Sequence, residues 1–454
     1  RLRKARSLFE AGRFEAGLRE ADRLAATTGV EPVVRLEAEV MAAGLLAVHG
    51  RAAEAVERLE RAAPREAARE PFVSARLSGA YAMSLGFVGR SEEARHRFAL
   101  AVDEARALDD NDLMLRTYNN WGNLELVYGT LGRARELYLE ALRVAERTNN
   151  RRIAAWTAQN AALPALVGGA LTDARELIER SRHIEHGVFR VQRWSLALAL
   201  RLDTLLGRHV AAELDHAFAA LDAAIDDVDL ASVAMLAAAI AHRLAAEHRI
   251  AEAGAVVARV LPVFAQVDAP YWLADAASRY GDAASRGRAR ELLAPVAANP
   301  GAVAAQGALA LVDAREALRR RRRDESSALA ERAVAAFRQA GWTLEEGYAL
   351  ELAGHVGEAV ALFRRVGAIA EVRRNTETAV QPARRRGEAT LTGREREIAG
   401  LVVAGHSTRA IADTLVISER TVETHIASIY RKLGVSSRRA LEALLAEAPG
   451  ASPT

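Results

Sequence analysis

A chain of 454 residues, 50% hydrophobic and 27% charged, has room for about two to four domains and enough apolar content to bury a sizeable core, which excludes disorder by composition. Cysteine is absent, which excludes disulfides, a thiol nucleophile and every Cys-based zinc or iron–sulfur site. The net charge of +3 is uneven: residues 371–446 hold 13 Lys or Arg against 9 Asp or Glu, a balance of +4 that leaves −1 for the rest and places the positive field where a polyanion could be read.

The mean hydropathy is −0.04, and no apolar run approaches the roughly 18 residues that a membrane helix needs. The expected setting is the cytoplasm, with no membrane partner. The chain opens on Arg1, with neither Met nor an apolar leader, so its natural N-terminus is expected upstream.

From the N-terminus onward a turn signature recurs: a glycine or basic residue, a charged pair and an alanine. It is clearest at Gly12, Gly50, Gly89, Gly132, Gly169 and Gly207, with weaker copies near His248, Gly287, Arg323 and Gly354. The steps are 38, 39, 43, 37, 38, 41, 39, 36 and 31 residues. Each unit reads as two helices. Tyr118 to Leu124 places its aromatic and apolar residues on one face; Gly132 is expected to break the helix; Ala134 to Ala145 then aligns Leu137, Ala141 and Val144. A single hairpin cannot bury such a stripe, whereas stacked hairpins do, as an α-solenoid.

Asn120-Trp121-Gly122-Asn123 and Gly132-Arg133-Ala134-Arg135-Glu136 carry a resemblance to the tetratricopeptide family in a long-repeat form. It covers roughly residues 1–365, against a usual unit of about 34 residues. Scarce proline after the second helices leaves HEAT-like solenoids open. The repeat region is assigned to residues 1–370, as a sensor or interaction domain. Residues 371–390 lack an apolar period, include Pro382 and read as a linker.

From Leu391 the pattern changes. Thr392-Gly393-Arg394-Glu395 has the form of a capping box. A first helix is predicted over Arg394 to Ala404, with Ile398, Leu401 and Val402 inward, and is stopped by Gly405. Ser407 caps a second, short helix that buries Ile411, Ala412 and Leu415. A tight turn through Val416 and Ile417 follows. Ser418 caps a third helix, Glu419 to Leu433, striped by Val422, Ile426, Ile429 and Leu433. A fourth is expected over Arg438 to Ala446, and residues 447–454 read as a tail. Two short helices around a tight turn read as helix-turn-helix. Opposite the apolar stripe the third helix offers Arg420, Thr421, Glu423, Thr424, Ala427, Ser428 and Arg431, which can hydrogen-bond base edges, touch a thymine methyl or pair with phosphate.

Leu391-Thr392-x-Arg394-Glu395-x-Glu397-Ile398, Ala404-Gly405-x-Ser407, Ile411-Ala412-x-x-Leu415-x-Ile417-Ser418 and Thr421-Val422-x-x-His425, with Ile429, Lys432-Leu433 and Val435, resemble the LuxR-type DNA-binding domain over about 50 residues. The resemblance implies an all-α, four-helix domain at 391–446 whose third helix enters the major groove and whose fourth pairs two copies. It implies base-edge readers at Glu423, Thr424 and Ala427. It implies phosphate contacts at Thr408, Thr421, His425, Arg431 and Lys432. Two positions depart from the pattern: Thr408 stands where asparagine is usual, and Glu423 where lysine is common, which shifts the expected preference toward a cytosine amino group.

Repeats ahead of such a domain look like the large ATP-dependent LuxR regulators. Those carry an ATPase before the repeats, but G-x-x-x-x-G-K-[ST] does not occur here, so no cofactor is assigned to this chain and an ATP site is expected only upstream. The implied partners are double-stranded DNA, a second copy on that DNA, a protein or small-molecule effector at the repeats, and RNA polymerase. The chain is read as no enzyme. An interaction scaffold without DNA binding is the alternative.

Plainer readings attach to the remaining clusters. His183 and His186 read as surface residues, since no third metal ligand is visible. Asp109 to Asp112 reads as an inter-repeat loop, Arg319 to Arg323 as a solvated helix end, and the five tryptophans as mostly repeat core.

Overall fold

A computed structural model of the chain describes residues 2–10, 14–48, 51–62, 70–184, 189–227, 229–264, 271–376, 391–433, 435 and 437–441. It divides into two compact units, Arg1–Ala370 and Glu371–Thr454. All regular structure described is helical.

In the first unit the helices run α1 (Leu2–Glu10), α2 (Phe14–Ala26), α3 (Pro32–Val48), α4 (Ala52–Ala62), α5 (Pro71–Phe87), α6 (Ser91–Ala107), α7 (Asn111–Tyr128), α8 (Leu131–Arg147), α9 (Arg151–Val167) and α10 (Leu171–Ile184). They continue as α11 (Phe189–Leu205), α12 (Ala211–Asp226), α13 (Leu230–Ala246), α14 (Ile250–Val260), α15 (Tyr271–Tyr280), α16 (Ala283–Ala297), α17 (Val303–Arg319), α18 (Arg323–Ala340), α19 (Thr343–Ala353) and α20 (Val356–Val366). Consecutive helices pack as hairpins, and each odd-numbered helix also packs on the next odd one. This is the stacked-hairpin solenoid expected of the repeats. Among the described residues no helix is long and apolar enough to cross a membrane.

The motif around Trp121 shows why the hairpins close. A Cβ at Gly122 would lie 2.5 Å from the Tyr138 ring, so glycine lets α7 and α8 meet around that side chain. Tyr138 is buried and its hydroxyl donates to Asn123 Oδ1 at 2.7 Å. Asn119 Nδ2 donates to Leu115 O at 3.0 Å and to Thr157 Oγ1 at 3.2 Å, and Asn160 Nδ2 donates to Asn119 Oδ1 at 3.2 Å. The buried Asn119 and Asn160 amides thus pair across two hairpins. Trp342 is buried, while Trp121, Trp156, Trp194 and Trp272 are half-buried against the repeats.

The turn anchors divide. Gly89, Gly169, Gly207 and Gly354 do adopt left-handed backbone at hairpin turns, and His248 does the same at φ +63°. Gly132 does not break the helix. It lies in the first turn of α8, and the break is Gly129, with Thr130 capping the Arg133 amide at 3.3 Å. Gly287 likewise lies inside α16, whose start is set by Asp282 capping Ser285 at 2.8 Å. Asp109 and Asn149 turn left-handed between hairpins, and Asp110 and Asn150 cap α7 and α9, so the acidic run is an inter-repeat turn. The arginine run spans the α17–α18 turn, with Arg321 left-handed. Among the described residues no three metal-ligating side chains gather; His186, Gly12 and Gly50 lie outside those residues.

The solenoid returns on itself. α7 touches α17 and α9 touches α19, so one superhelical turn takes about five hairpins. Asn299 Nδ2 donates to Tyr128 Oη at 3.3 Å, and Arg201 Nη2 donates to Tyr348 Oη at 2.8 Å, across 171 and 147 residues. Two left-handed glycines sit at the seam. A Cβ on Gly89 would meet Asn299 at 2.2 Å, and one on Gly169 would meet Val366 at 2.5 Å.

Inside that turn lies a buried ionic cluster. Asp275 pairs with Arg279 and Arg315, each at 2.8 Å, and lies 3.5 Å from His242. Burial holds the His242 imidazole down at about 4, with Arg201 adding to the effect. Glu345 is 6% exposed, and burial with the nearby Asp275 charge pushes its carboxyl up to about 8.

Residues 371–376, assigned to the linker, are helical as part of α21 (residues 369–376). The reason is local. Arg374 pairs with Glu371 at 2.8 Å, and the Asn375 and Thr376 side chains donate back to Glu371 O and Val372 O at 3.0 Å. Residues 377–390 lie outside the described residues.

Candidate nucleic-acid interface

The second unit continues with α22 (Gly393–Val403), α23 (Thr408–Leu415) and α24 (Glu419–Leu433), and residues 438–441 begin a further helical turn. The rest of the expected fourth helix, with its pairing role, lies outside the described residues. Leu391, Ile398, Val402, Ile411, Ala412, Val422, Ile429 and Leu433 form one core with Leu441, while Leu401, Leu415 and Ile426 pack half-buried against it.

Each start is set by the residue expected. Thr392 accepts from the Glu395 amide at 3.2 Å while Glu395 accepts from the Thr392 amide at 2.7 Å, which is the full capping box. Ser407 caps α23 through the Ala410 amide at 3.2 Å, and Ser418 accepts from the Thr421 amide at 3.1 Å. Arg394 reaches from α22 to donate to Leu415 O at 2.7 Å, which holds the C-terminus of α23. Arg438 donates to Val402 O at 3.1 Å and to His406 O, tying the last turn to the end of α22.

α23 and α24 are joined by Val416, Ile417 and Ser418. Val416 is left-handed at φ 53°, ψ 50° and 89% exposed. A β-branched residue there costs about 1–2 kcal/mol in backbone strain and recovers no packing. Val416→Asn is therefore expected to raise the unfolding free energy of this unit by about 1 kcal/mol. Chemical denaturation followed by circular dichroism measures it, and a loss of stability would count against the strain.

The side chains singled out for DNA contact fall into three groups. Arg420, Glu423, Thr424, Ala427 and Arg431 are exposed and share one face of α24 by their i, i+3, i+4, i+7 and i+11 spacing. The Thr424 hydroxyl donates to Arg420 O at 2.8 Å on that exposed face. Thr421 is exposed at the first turn, its hydroxyl 2.7 Å from that of Ser418. Thr408 is half-buried at the positive end of α23, beside exposed Arg409, which sequence reasoning passed over although it stands on the same first turn.

The third group, His425, Ser428 and Lys432, is half-buried on the flank of α24. Ser428 Oγ donates to Glu395 Oε1 at 2.9 Å and Lys432 Nζ pairs with Glu395 Oε2 at 2.6 Å. The Lys432 ammonium, with the Thr392 amide, holds the Glu395 carboxyl down at about 2. Ser428 and Lys432 thus join α24 to the capping box of α22, a link between residues 33 and 37 positions apart that spacing alone does not reveal.

Three helices with a tight turn between the last two, an apolar inner stripe and a polar outer face define a helix-turn-helix domain. Residues 389–444 match the family described as bacterial regulatory proteins, luxR family, so this chain carries a luxR-family C-terminal domain after a helical repeat region. It is 47% identical over 55 residues to the transcriptional regulatory protein MctR of Rhizobium johnstonii, covering 12% of this chain and 26% of that one. It is 44% identical over 71 residues to the putative HTH-type transcriptional regulator Mb0914c of Mycobacterium bovis, covering 16% of this chain and 8% of that one. The matches therefore span about a quarter and under a tenth of those relatives. A solved Rap protein complexed with competence and sporulation factor aligns with 80% of this chain and 98% of its own, at 12% identity and a TM-score of 0.47, a distant likeness.

Proposed function

We propose that this chain is a sequence-specific DNA-binding transcriptional regulator. The exposed face of α24 is the observation that carries the reading. Arg420 and Arg431 supply cationic fork donors for phosphate or guanine, Thr424 and Glu423 offer acceptors for base edges, and Ala427 suits a thymine methyl. The luxR-family match supports the same role. Thr408 and Thr421, at helix starts, would hold phosphate. Paired domains would read half-sites about one helical turn apart. The repeats would bind the effector or partner that controls this pairing.

Selection from a random duplex pool, run on the whole chain and on a chain ending at Ala370, tests the reading. A motif enriched by the whole chain alone is expected. Retention by neither at low salt would overturn it in favour of an interaction scaffold. Within the selected motif, Arg431→Ala is expected to weaken all sequences alike and to flatten the salt slope by about 1. Glu423→Ala is expected to change the preferred base, by about 1–3 kcal/mol. An unchanged motif would remove Glu423 from the set of readers.

A further inference from the structure

The groove between α10 and α12 differs from its neighbours. Where α14 meets α12 on one side of it, Arg259 pairs with Asp222 at 2.7 Å. Between α8 and α10, Arg135 pairs with Asp173 and Arg180 with Glu146. Among the described residues no ion pair joins α10 to α12. Instead a cleft of about 430 Å³ opens there, within the usual range for small-molecule sites.

The sequence of α12 explains the opening. Counted from the helix starts, Ala219, Ala220 and Ala223 stand where α10 carries Glu179, Arg180 and His183. Leu214, Ala217, Leu221 and Ala224 face the core from the other side of α12, so the alanines leave a second, slim apolar face uncovered. They form the floor of the cleft with Leu196. Arg182 of α10 and His216 of α12 line it, with Gln192. Arg193 lines it as well, 10% exposed at the side chain and held by Asp227 and Asp229. The walls thus offer side-chain donors, and the carboxylate that bridges the neighbouring grooves is missing.

We propose that this cleft binds a small monocarboxylate with a compact apolar body. The ligand carboxylate takes the bridging place between Arg182, Gln192 and His216, and its body lies on Leu196 and the three alanines. The site deepens, and for its regulatory meaning rests on, the reading of the repeats as the effector-binding region.

Titration calorimetry of the full chain with benzoate, phenylacetate and hexanoate tests the site, with benzyl alcohol as the uncharged control. Saturable 1:1 binding by at least one acid is expected, at least tenfold tighter than benzyl alcohol. Arg182→Ala should weaken it about tenfold, the scale of one charge-assisted contact. Ala223→Glu, at an exposed position, should abolish it by supplying the missing carboxylate from the protein itself. Both variants should keep the parent's helical circular dichroism. No binding of the three acids at 10 mM, or binding unchanged in both variants, would overturn the proposal. Binding that leaves duplex retention unaltered would uphold the site and overturn only its coupling to DNA.

Discussion

Arg243→Met is expected to destabilise the repeat unit by about 2–3 kcal/mol, because it removes a buried guanidinium that makes three hydrogen bonds. The Arg243 side chain is fully buried. Its Nε donates to Glu247 at 2.6 Å, and its two terminal nitrogens donate to Arg208 O at 3.1 Å and Val210 O at 3.3 Å. It thus ties the end of α13 to the turn between α11 and α12, where Gly207 is left-handed. Methionine fills much of the volume but donates nothing, so the Arg208 and Val210 carbonyls lose this donor and Glu247 keeps its pairing with Arg249 at 3.2 Å. Arg243→Lys offers one point charge in place of a planar fork and should lie between the two. The shift of the chemical denaturation midpoint measures the effect. A loss below about 1 kcal/mol would mean that water replaces the guanidinium, and the network argument would fail.

Glu345→Gln is expected to act in the opposite direction. The folded chain holds the Glu345 proton up to about 8, whereas an unfolded carboxyl releases it near 4.5. Between those values the folded state binds the extra proton, so its contribution to stability is complete below about 4.5 and falls as pH rises toward about 8. One carboxylate oxygen of Glu345 is buried without a hydrogen-bond partner, so glutamine gives up little. The groups that set its field are Asp275, Arg201 and Arg279, with burial the largest cause. The variant should match the parent at pH 5 and exceed it at pH 8 by roughly 2–4 kcal/mol. Denaturation at both pH values decides this, and a gap that does not change with pH would refute the assignment.

Much of the C-terminal unit was legible in the sequence, because its signals are local. Thr392, Ser407 and Ser418 announce helix starts within three residues of the amides they cap. The α24 stripe separates its core side from its exposed side through the 3.6-residue period alone. The attachment of Ser428 and Lys432 to Glu395 escaped that logic, since it depends on how α24 lies across α22. In the repeats, glycine was an incomplete guide. At Gly132 and Gly287 the caps Thr130 and Asp282 carry the turn, and both glycines lie within the helix that follows. The ionic cluster around Asp275 was hidden for another reason. Its members come from helices α13, α15 and α17, and no short window holds them together.

A strictly linear stack would unfold piecemeal, since each hairpin senses only the ones beside it. The contacts of α7 with α17 and of α9 with α19 change that connectivity. They turn a ribbon of nearest-neighbour couplings into something closer to a closed spring, in which loosening one coil slackens the coil above it. Hydrogen exchange should then report a few large cooperative blocks that include both sides of the seam, and not a gradient that decays smoothly from the ends.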